Sequence, residues 1–189
     1  MKLNGNAIRP GMVIEHQERL WRTIKIQHTQ PGKGGAYLQV ELKDIRDGTK
    51  LNERFRASET VERVRLDQNK YQYLYANGDM HTFMHGETFE QIDLNTDLVG
   101  EHQVSYLQEG MIVTIESFEE DPIGIYLPPN ATFKVVEADA VVKGQTAASS
   151  YKPAVLNNGV RTMVPPHIET GTNIVISTED GTYIERAKD

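Results

Sequence analysis

Short runs of alternating apolar and polar residues recur about every ten residues along this chain, and each run is bounded by turn-forming residues. Successive side chains of a β-strand point to opposite faces, so such runs predict strands that bury one face. Trp21–Ile26 and Tyr37–Leu42 are clear examples. The predicted core face carries Ile24, Ile26, Leu38, Val40 and Leu42, and the opposite face carries Arg22, Lys25, Gln39 and Glu41. Many short strands with frequent turns are typical of β-barrels or β-sandwiches.

The same pattern of short strands and turns continues along the rest of the chain. Tyr71–Tyr75 and Met80–Met84 flank Asn77-Gly78, a pair that favours a two-residue hairpin loop because both residues tolerate positive φ. Further strands are predicted at Met111–Ile115, Thr132–Glu137, Val160–Val164, Asn173–Ser177 and Thr182–Glu185, with another hairpin at Asp180-Gly181. The one helical pattern, Thr96–Leu107, contains Gly100, which opposes helix formation. The chain is therefore predicted to be all-β.

Two segments of different composition divide the chain into three pieces. The first is the charged run Glu59–Arg65, and the second is Leu127-Pro128-Pro129-Asn130, which a continuous central strand could not contain. The pieces 1–63, 64–127 and 128–189 each have the length of a small barrel. Hydrophobic residues make up 38% of the chain, which favours several small cores over one thick core.

Charge is distributed very unevenly. The net charge is −7, but residues 1–63 carry twelve Lys and Arg against eight Asp and Glu. The remaining residues carry eight against nineteen, and between Tyr71 and Phe133 there is no Lys or Arg at all. RNA phosphates would attract the basic first piece and repel the acidic middle, which would orient the protein on RNA. Uneven surface solvation is the alternative interpretation.

The expected cellular compartment follows from sequence features that are missing here. There is no cysteine, so nothing requires an oxidising compartment, a disulfide framework or a thiolate metal site. The N-terminal residues contain no apolar signal-peptide core, and no stretch approaches the ~18 apolar residues of a membrane span. We therefore expect a soluble, cytoplasmic protein without membrane contact.

Enzyme motifs are largely missing. Gln27–Gly34 matches a phosphate-binding loop only at Gly32-Lys33 and lacks the following helix. His81 and His85 have metal-ligand spacing only on a helix, whereas they lie on a predicted strand and are expected to be packing or surface histidines. We therefore expect no catalytic residues, no metal and no bound cofactor.

Lys33 is the candidate functional residue. Pro31 stiffens the approach to it, and Gly32, Gly34 and Gly35 remove side chains around it, so the ammonium projects on a narrow neck. Such a lysine suits insertion into a crevice, phosphate contact or enzymatic modification. A Schiff-base lysine needs burial instead. The alternative is an ordinary hairpin tip with a solubilising lysine.

Three blocks of residues match a known family in order and spacing. The first is Pro31-Gly32-Lys33-Gly34, placed between two strands. The second runs from Tyr71–Tyr75 and Asp79 through Phe83-Met84 to Glu87–Gln91. The third comprises Lys152-Pro153-Ala154, Gly159, Val164-Pro165, Ile168 and Gly171. Together they resemble bacterial elongation factor P across essentially the whole chain.

The resemblance implies an SH3-like, KOW-type first domain followed by two OB-fold domains, in an L-shaped outline similar to tRNA. It implies a monomer that binds the 70S ribosome beside peptidyl-tRNA and relieves stalling at consecutive prolines. Lys33 would reach toward the acceptor end of that tRNA. In relatives the matching lysine often carries a β-lysyl group added by a lysyl-tRNA-synthetase-like ligase, so such a ligase is an expected partner.

Contacts are also expected beyond the Lys33 loop. The basic first piece would meet tRNA or rRNA backbone through residues such as Lys25, Arg54 and Arg56. Tyr183 and Arg186 match family positions of the last domain that face tRNA. The family loop that approaches the exit-site codon usually reads Gly-Asp-Thr, whereas this chain has Gly144-Gln145-Thr146. A general RNA- or oligosaccharide-binding barrel protein with no role in stall rescue is the alternative function.

Overall fold

The computed structural model describes residues 1–140 and 150–188. These residues form three antiparallel sheets, as the alternating pattern predicts. The first sheet contains β1 (Lys2–Asn4), β2 (Val13–His16), β3 (Arg19–Thr29), β4 (Tyr37–Asp44), β5 (Lys50–Arg56) and β6 (Thr60–Val64), in the order β1-β6-β2-β3-β4-β5. The charged run that starts at Glu59 is thus largely a strand of this sheet. Its core is formed by eight buried side chains: Ile8, Ile14, Trp21, Leu38, Val40, Leu42, Phe55 and Val61.

The second sheet contains β7 (Asp67–Asn77), β8 (Met80–His85), β9 (Gln91–Asn95), β10 (Ile112–Phe118) and β11 (Asp121–Tyr126), in the order β11-β10-β7-β8-β9. Two short helices, α1 (Thr96–Val99) and α2 (Glu101–Val104), lie between β9 and β10. The predicted helical pattern is therefore real but divided at Gly100, whose φ of 90° ends α1. Asn95 caps α1 by accepting a 2.9 Å hydrogen bond from the Leu98 amide.

The third sheet contains β12 (Asn130–Ala138), β13 (Lys152–Leu156), β14 (Arg161–Val164), β15 (Asn173–Ser177) and β16 (Tyr183–Arg186), in the order β14-β13-β12-β15-β16. By contact density the chain divides into two compact units. One comprises Met1–Gln68 with Glu116–Gly124, and the other comprises Asn69–Ile115 with Ile125–Asp189. The second unit contains two hydrophobic clusters, one around Phe83 and one around Phe133.

One core prediction is wrong. Ile24 lies on the surface, 42% exposed, and does not share the inner face with Ile26, because the β3–β4 register shifts between Thr23 and Lys25. Ile24 is the extra residue of a β-bulge, so the alternation restarts one residue later. Thr23 before the bulge and Ile26 after it therefore share the inner face, whereas Lys25 points outward.

One turn prediction is displaced by a residue. Asn77 pairs with Met80, so the two loop residues are Gly78 and Asp79 instead of Asn77 and Gly78. Gly78 alone takes positive φ, at 60°. A two-residue loop whose first position has positive φ is the pattern in which glycine leads. The glycine thus decides the register, and Asn77 remains the last residue of β7.

His81 is a packing residue, as its strand position predicts. It is 3% exposed, and Nε2 lies 3.0 Å from the Thr96 hydroxyl. Burial lowers the pKa of His81, although nearby Asp79 opposes the shift. The folded protein therefore holds this imidazole neutral at pH values where the unfolded chain has bound a proton.

Protonation of His81 is expected to destabilise the fold. Its contribution to the free energy of unfolding is complete above the ordinary pKa of 6.5 and is lost as pH falls through the lowered folded value. Urea denaturation at pH 7.5 and pH 5 should show a smaller pH-dependent loss in His81→Gln than in the unaltered protein. Exposed His28→Gln serves as the control, and an unchanged pH dependence in His81→Gln would contradict the assignment.

Candidate functional site

The Lys33 loop joins β3 to β4. The last cross-strand pair is Thr29 with Tyr37, so residues 30–36 lie outside the ladder. Pro31 is partly buried, whereas residues 32–36 are exposed. A Cβ added at Gly32 or Gly35 would meet no atom within 4 Å, and Gly34 has a φ of 122°. The glycines here leave open space around the loop tip, and Gly34 also supplies a backbone conformation that other residues rarely adopt.

Lys33 has no polar partner among the residues that the structure describes. Within residues 1–140 and 150–188 it forms neither an ion pair nor a hydrogen bond, and its side chain is exposed. An exposed ammonium on a four-carbon stem can reach an external anion or accept a covalent extension. It lacks the burial that would make it a Schiff-base nucleophile.

Two of the predicted contact residues lie beside this loop. Arg54 and Arg56 project from the outer face of β5 and line a groove of about 740 Å³ together with Pro31, Gly35 and Tyr37. The Arg54 guanidinium lies 4.2 Å from the centre of the Tyr37 ring. No described acidic side chain forms an ion pair with Arg54 or Arg56. Their positive charge is therefore available to an anion in the groove.

Lys25 reaches the same outer face because of the bulge. If β3 alternated without interruption after Trp21 and Thr23, Lys25 would point into the core. The extra residue, Ile24, turns Lys25 outward, where it faces Glu41 across the ladder. Lys25 lines a smaller groove of about 170 Å³ with Gln27, Gln39 and Asn52 among others. A bulge here re-aims a cation toward solvent.

Two arginines of the first unit, Arg19 and Arg22, are neutralised by buried carboxylates. Arg19 pairs with buried Asp44 at 2.7 Å and also with Asp47, and Arg22 pairs with buried Glu116 at 2.7 Å. Hydrogen bonds from Thr49, with a smaller contribution from Arg19, lower the pKa of Asp47 to about 2. These arginines hold the structure together, whereas Arg54 and Arg56 are free to act on a ligand.

The remaining predicted site residues fall elsewhere. Tyr183 and Arg186 lie on β16 in the second unit, where the partly buried Tyr183 ring contacts the Tyr151 ring edge-on at 6.3 Å. Burial raises the pKa of Tyr183. Arg186 is exposed. Residues Gly144, Gln145 and Thr146 lie outside the described residues.

Tyr37 is the site residue that sequence reasoning missed. It was assigned only to a strand, yet its ring supports the guanidinium of Arg54. The available signal was cross-strand geometry, since an aromatic residue directly after a loop can stack on an arginine diagonal to it on the next strand. That diagonal relation depends on the β4–β5 register, in which Tyr37 pairs with Arg56 and Gln39 pairs with Arg54.

Across residues 1–140 and 150–188, no group of three or more His, Asp or Glu side chains could hold a metal ion. His85, the second predicted packing histidine, contacts Tyr71 edge-on at 4.9 Å. The described helices include none long and apolar enough to cross a bilayer.

The chain matches three domains of one known protein family. Residues 4–61 match the elongation factor P KOW-like domain, residues 66–125 the elongation factor P OB domain, and residues 131–186 the elongation factor P C-terminal domain. The chain is thus a protein of a KOW-like domain followed by OB-type barrels. The Lys33 loop belongs to the KOW-like part.

Relatives identify the family. Elongation factor P of Zymomonas mobilis is 59% identical over 99% of this chain and 100% of its own length, and that of Chelativorans sp. shows the same identity and coverage. Elongation factor P of Brucella suis is 58% identical over the same shares. The chain belongs to the elongation factor P family, a family of translation factors, and the resemblance seen in the sequence is confirmed.

Solved structures share the fold at lower identity. The structure of eukaryotic translation initiation factor 5A from Methanococcus jannaschii matches with a TM-score of 0.55 and 23% identity, covering 68% of this chain and 92% of that one. A translation initiation factor eif-5a family protein from Naegleria fowleri matches with a TM-score of 0.52 and 16% identity, covering 67% and 98%. At these identities the likeness concerns the fold.

Proposed function

We propose that this protein binds the ribosome beside peptidyl-tRNA and promotes peptide-bond formation at consecutive prolines through Lys33. The observation that carries the proposal is an exposed lysine, held at the tip of a glycine-rich loop, that has no ion-pair or hydrogen-bond partner in the described part of the chain. Membership of the elongation factor P family supports the same function. Its site of action is the cytoplasm, where ribosomes work.

The proposed mechanism is orientation. Proline is a constrained and poor nucleophile, and a mobile peptidyl-tRNA slows its reaction further. A cation placed at the acceptor end of the tRNA would restrict the tRNA to reactive geometries, and restricting reactants in this way lowers the barrier. Peptidyl transfer itself belongs to ribosomal RNA, so the protein needs no general base.

The basic residues near Lys33 would fix the protein on its RNA partners. Lys25, Arg54 and Arg56 are exposed and unpaired among the described side chains, which suits contact with tRNA or rRNA phosphates. Contacts of this type position a protein without reading base sequence. Tyr183 and Arg186 are proposed as a second contact region on the last domain.

A covalent extension of Lys33 would increase its reach. We propose that a lysine-modifying ligase acylates this amine with a β-lysyl group that it has activated as a mixed anhydride with a phosphate. Nζ loses a proton and attacks the activated carbonyl, an amide forms on Nζ, and the phosphate group leaves. The open space around Gly32 and Gly35 leaves room for a ligase to approach the tip.

Protein purified from its native host is expected to carry the added mass on Lys33 alone. The reason is access, because Lys33 stands on an isolated tip whereas Lys25 and Lys43 lie within strands of the sheet. Peptide mapping by mass spectrometry measures the position of the modification. An addition on Lys25 or Lys43 in place of Lys33 would contradict the proposal.

A reconstituted translation system tests the function. Full-length product from a tri-proline reporter should rise when the native-host protein is added, and product from a proline-free reporter should not. If neither reporter responds while a known stall-relieving factor works in the same system, the protein is a general RNA-binding barrel protein instead.

A further inference from the structure

The loop between β8 and β9 holds a strained and exposed phenylalanine. Phe89 has a φ of 62°, a left-handed conformation that a bulky side chain adopts only at a cost in free energy. Its side chain is 67% exposed, so burial in the core does not offset this cost. Other interactions must therefore hold the loop in place.

Backbone hydrogen bonds fix the two ends of this loop. The amide of His85 donates to the Glu90 carbonyl at 2.8 Å, and the amide of Gly86 donates to the Lys70 carbonyl at 2.9 Å. The Phe89 amide donates to the His85 carbonyl at 3.1 Å. The amides in the middle of the loop need a different acceptor.

The His85 side chain is that acceptor. Its Nδ1 accepts hydrogen bonds from the backbone amides of Glu87 and Thr88, both at 3.1 Å. A ring nitrogen accepts only when it carries no proton, so the neutral imidazole must hold its proton on Nε2. Asn and Asp side chains often play this part in turns, but an imidazole differs from them because it takes up a second proton at about pH 6.5.

Protonation of this ring would remove the acceptor. With a hydrogen on Nδ1, the imidazole would present a donor to two backbone donors, and the amides of Glu87 and Thr88 would both lose their partner. The carboxylates of Glu87 and Glu90 belong to the same exposed loop and would stabilise a positive ring. The arrangement around Nδ1 is therefore complete above the ordinary titration range of imidazole and is lost as pH falls through it.

The strands beside His85 add no charge that opposes this change. On β7, Tyr71 contacts the imidazole edge-on at 4.9 Å. Burial, with a smaller contribution from Glu90, raises the pKa of Tyr71, so this phenol stays neutral whether or not His85 is protonated. Lys70 donates its ammonium to the Thr114 hydroxyl at 2.7 Å.

The neighbouring strand β9 carries one carboxylate. That carboxylate belongs to Asp93 and accepts a hydrogen bond from the Thr82 hydroxyl at 2.5 Å. Gln91, which begins β9, is uncharged. The proton-sensitive contact in this loop is thus the one between Nδ1 and the two amides.

We propose that His85 is a proton-sensitive clamp that fixes Phe89 at neutral pH and releases it when the ring is protonated. Once Glu87 and Thr88 are free of Nδ1, the loop can relax the strained backbone of Phe89, and the aromatic side chain loses its fixed position. The inference concerns the second sheet and does not depend on the function proposed for Lys33.

Amide protection measured by NMR tests the clamp. Protection factors correct for the intrinsic pH dependence of solvent exchange, and they are compared for Glu87 and Thr88 at pH 7.5 and pH 5.5. In the unaltered protein they should fall about tenfold at the lower pH, because a lost hydrogen bond has an effect of this order. The amide of buried Phe83 should keep its protection, which separates opening of the loop from unfolding of the sheet.

His85→Asn is the decisive variant. Its side-chain oxygen is an acceptor that does not titrate in this range, so both loop amides should stay protected at either pH. His85→Ala offers no acceptor and should lose protection already at pH 7.5. His81→Gln, a change at the other histidine of β8, is the control and should leave the pH response of the loop intact.

Three results would overturn the proposal. The first is unchanged protection of Glu87 and Thr88 at pH 5.5 in the unaltered protein. The second is a pH response that persists in His85→Asn, because the titrating group would then lie elsewhere. The third is full protection in His85→Ala at pH 7.5, which would mean that the imidazole does not hold the loop.

Discussion

Lys33→Ala is expected to reduce full-length product from the tri-proline reporter to the level seen without the protein, while the fold stays intact. Lys33 is exposed and forms no hydrogen bond or ion pair with another described residue, so its removal breaks no polar interaction within the described part of the chain. It does remove the cation that is proposed to restrict the peptidyl-tRNA, and with it the whole orientation effect. Thermal unfolding should show an unchanged melting temperature, which separates lost function from lost structure.

Two further variants serve as controls for Lys33→Ala. Lys43→Ala removes an exposed lysine from β4, away from the loop tip, and should rescue the reporter fully. Lys33→Arg keeps a charge but cannot be acylated as an amine, because the guanidinium stays protonated. Rescue by Lys33→Arg equal to that by the modified protein would show that the added group is dispensable. Full rescue by Lys33→Ala would reduce the loop to an ordinary hairpin tip.

Tyr106→Ala is expected to lower the free energy of unfolding of the second unit by about 3–5 kcal/mol, the usual cost of removing a large buried aromatic side chain. Tyr106 is 3% exposed and belongs to the cluster around Phe133, whose ring it meets edge-on at 6.0 Å. Its segment is also anchored by hydrogen bonds, such as that from Asn158 to the Ser105 carbonyl at 2.8 Å. Urea denaturation measures the change.

The control for this substitution is Tyr75→Ala. Tyr75 is 55% exposed, so its loss should change stability by no more than about 0.5 kcal/mol. A similar small effect for Tyr106→Ala would contradict its assignment to the core.

Gly181 offers an independent check on the position of the Tyr106 side chain. It has a φ of 74°, and a Cβ there would lie 2.6 Å from the Tyr106 hydroxyl oxygen. Gly181→Ala should therefore be destabilising through both backbone strain and this clash. Tyr106→Phe removes the oxygen, so Gly181→Ala should cost less in that background, and a double-mutant cycle measures the difference. Additive costs would mean that the contact is absent.

Much of the fold follows from local sequence. Alternation places most strands, because one face of each must be apolar to reach a core and this requirement is visible in the residues themselves. Asn173–Ser177 is predicted with the bounds that the structure has. Gly100 and Gly78 likewise act locally, through a positive φ that other residues rarely adopt. The glycines around Lys33 likewise predict an open loop from local sequence alone.

Other features depend on partners far away in the chain. The bulge at Ile24 exists only in the pairing of β3 with β4, and it turns Lys25 toward solvent and Ile26 to the inner face. The Arg54–Tyr37 stack depends on the register of β4 with β5. Neither is visible in the sequence, because a one-residue shift in pairing reverses every side chain without changing any residue.

The sequence by itself determined an all-β chain with its family, its turn glycines and a lysine placed on an unobstructed tip. Tertiary structure decided which residues accompany that lysine, and it put Tyr106, from the middle piece of the sequence, into the core around Phe133. The physical reason is the sequence separation over which each kind of interaction acts. Backbone preference and side-chain alternation act over a few residues, whereas pairing register and core packing join residues that are distant in sequence.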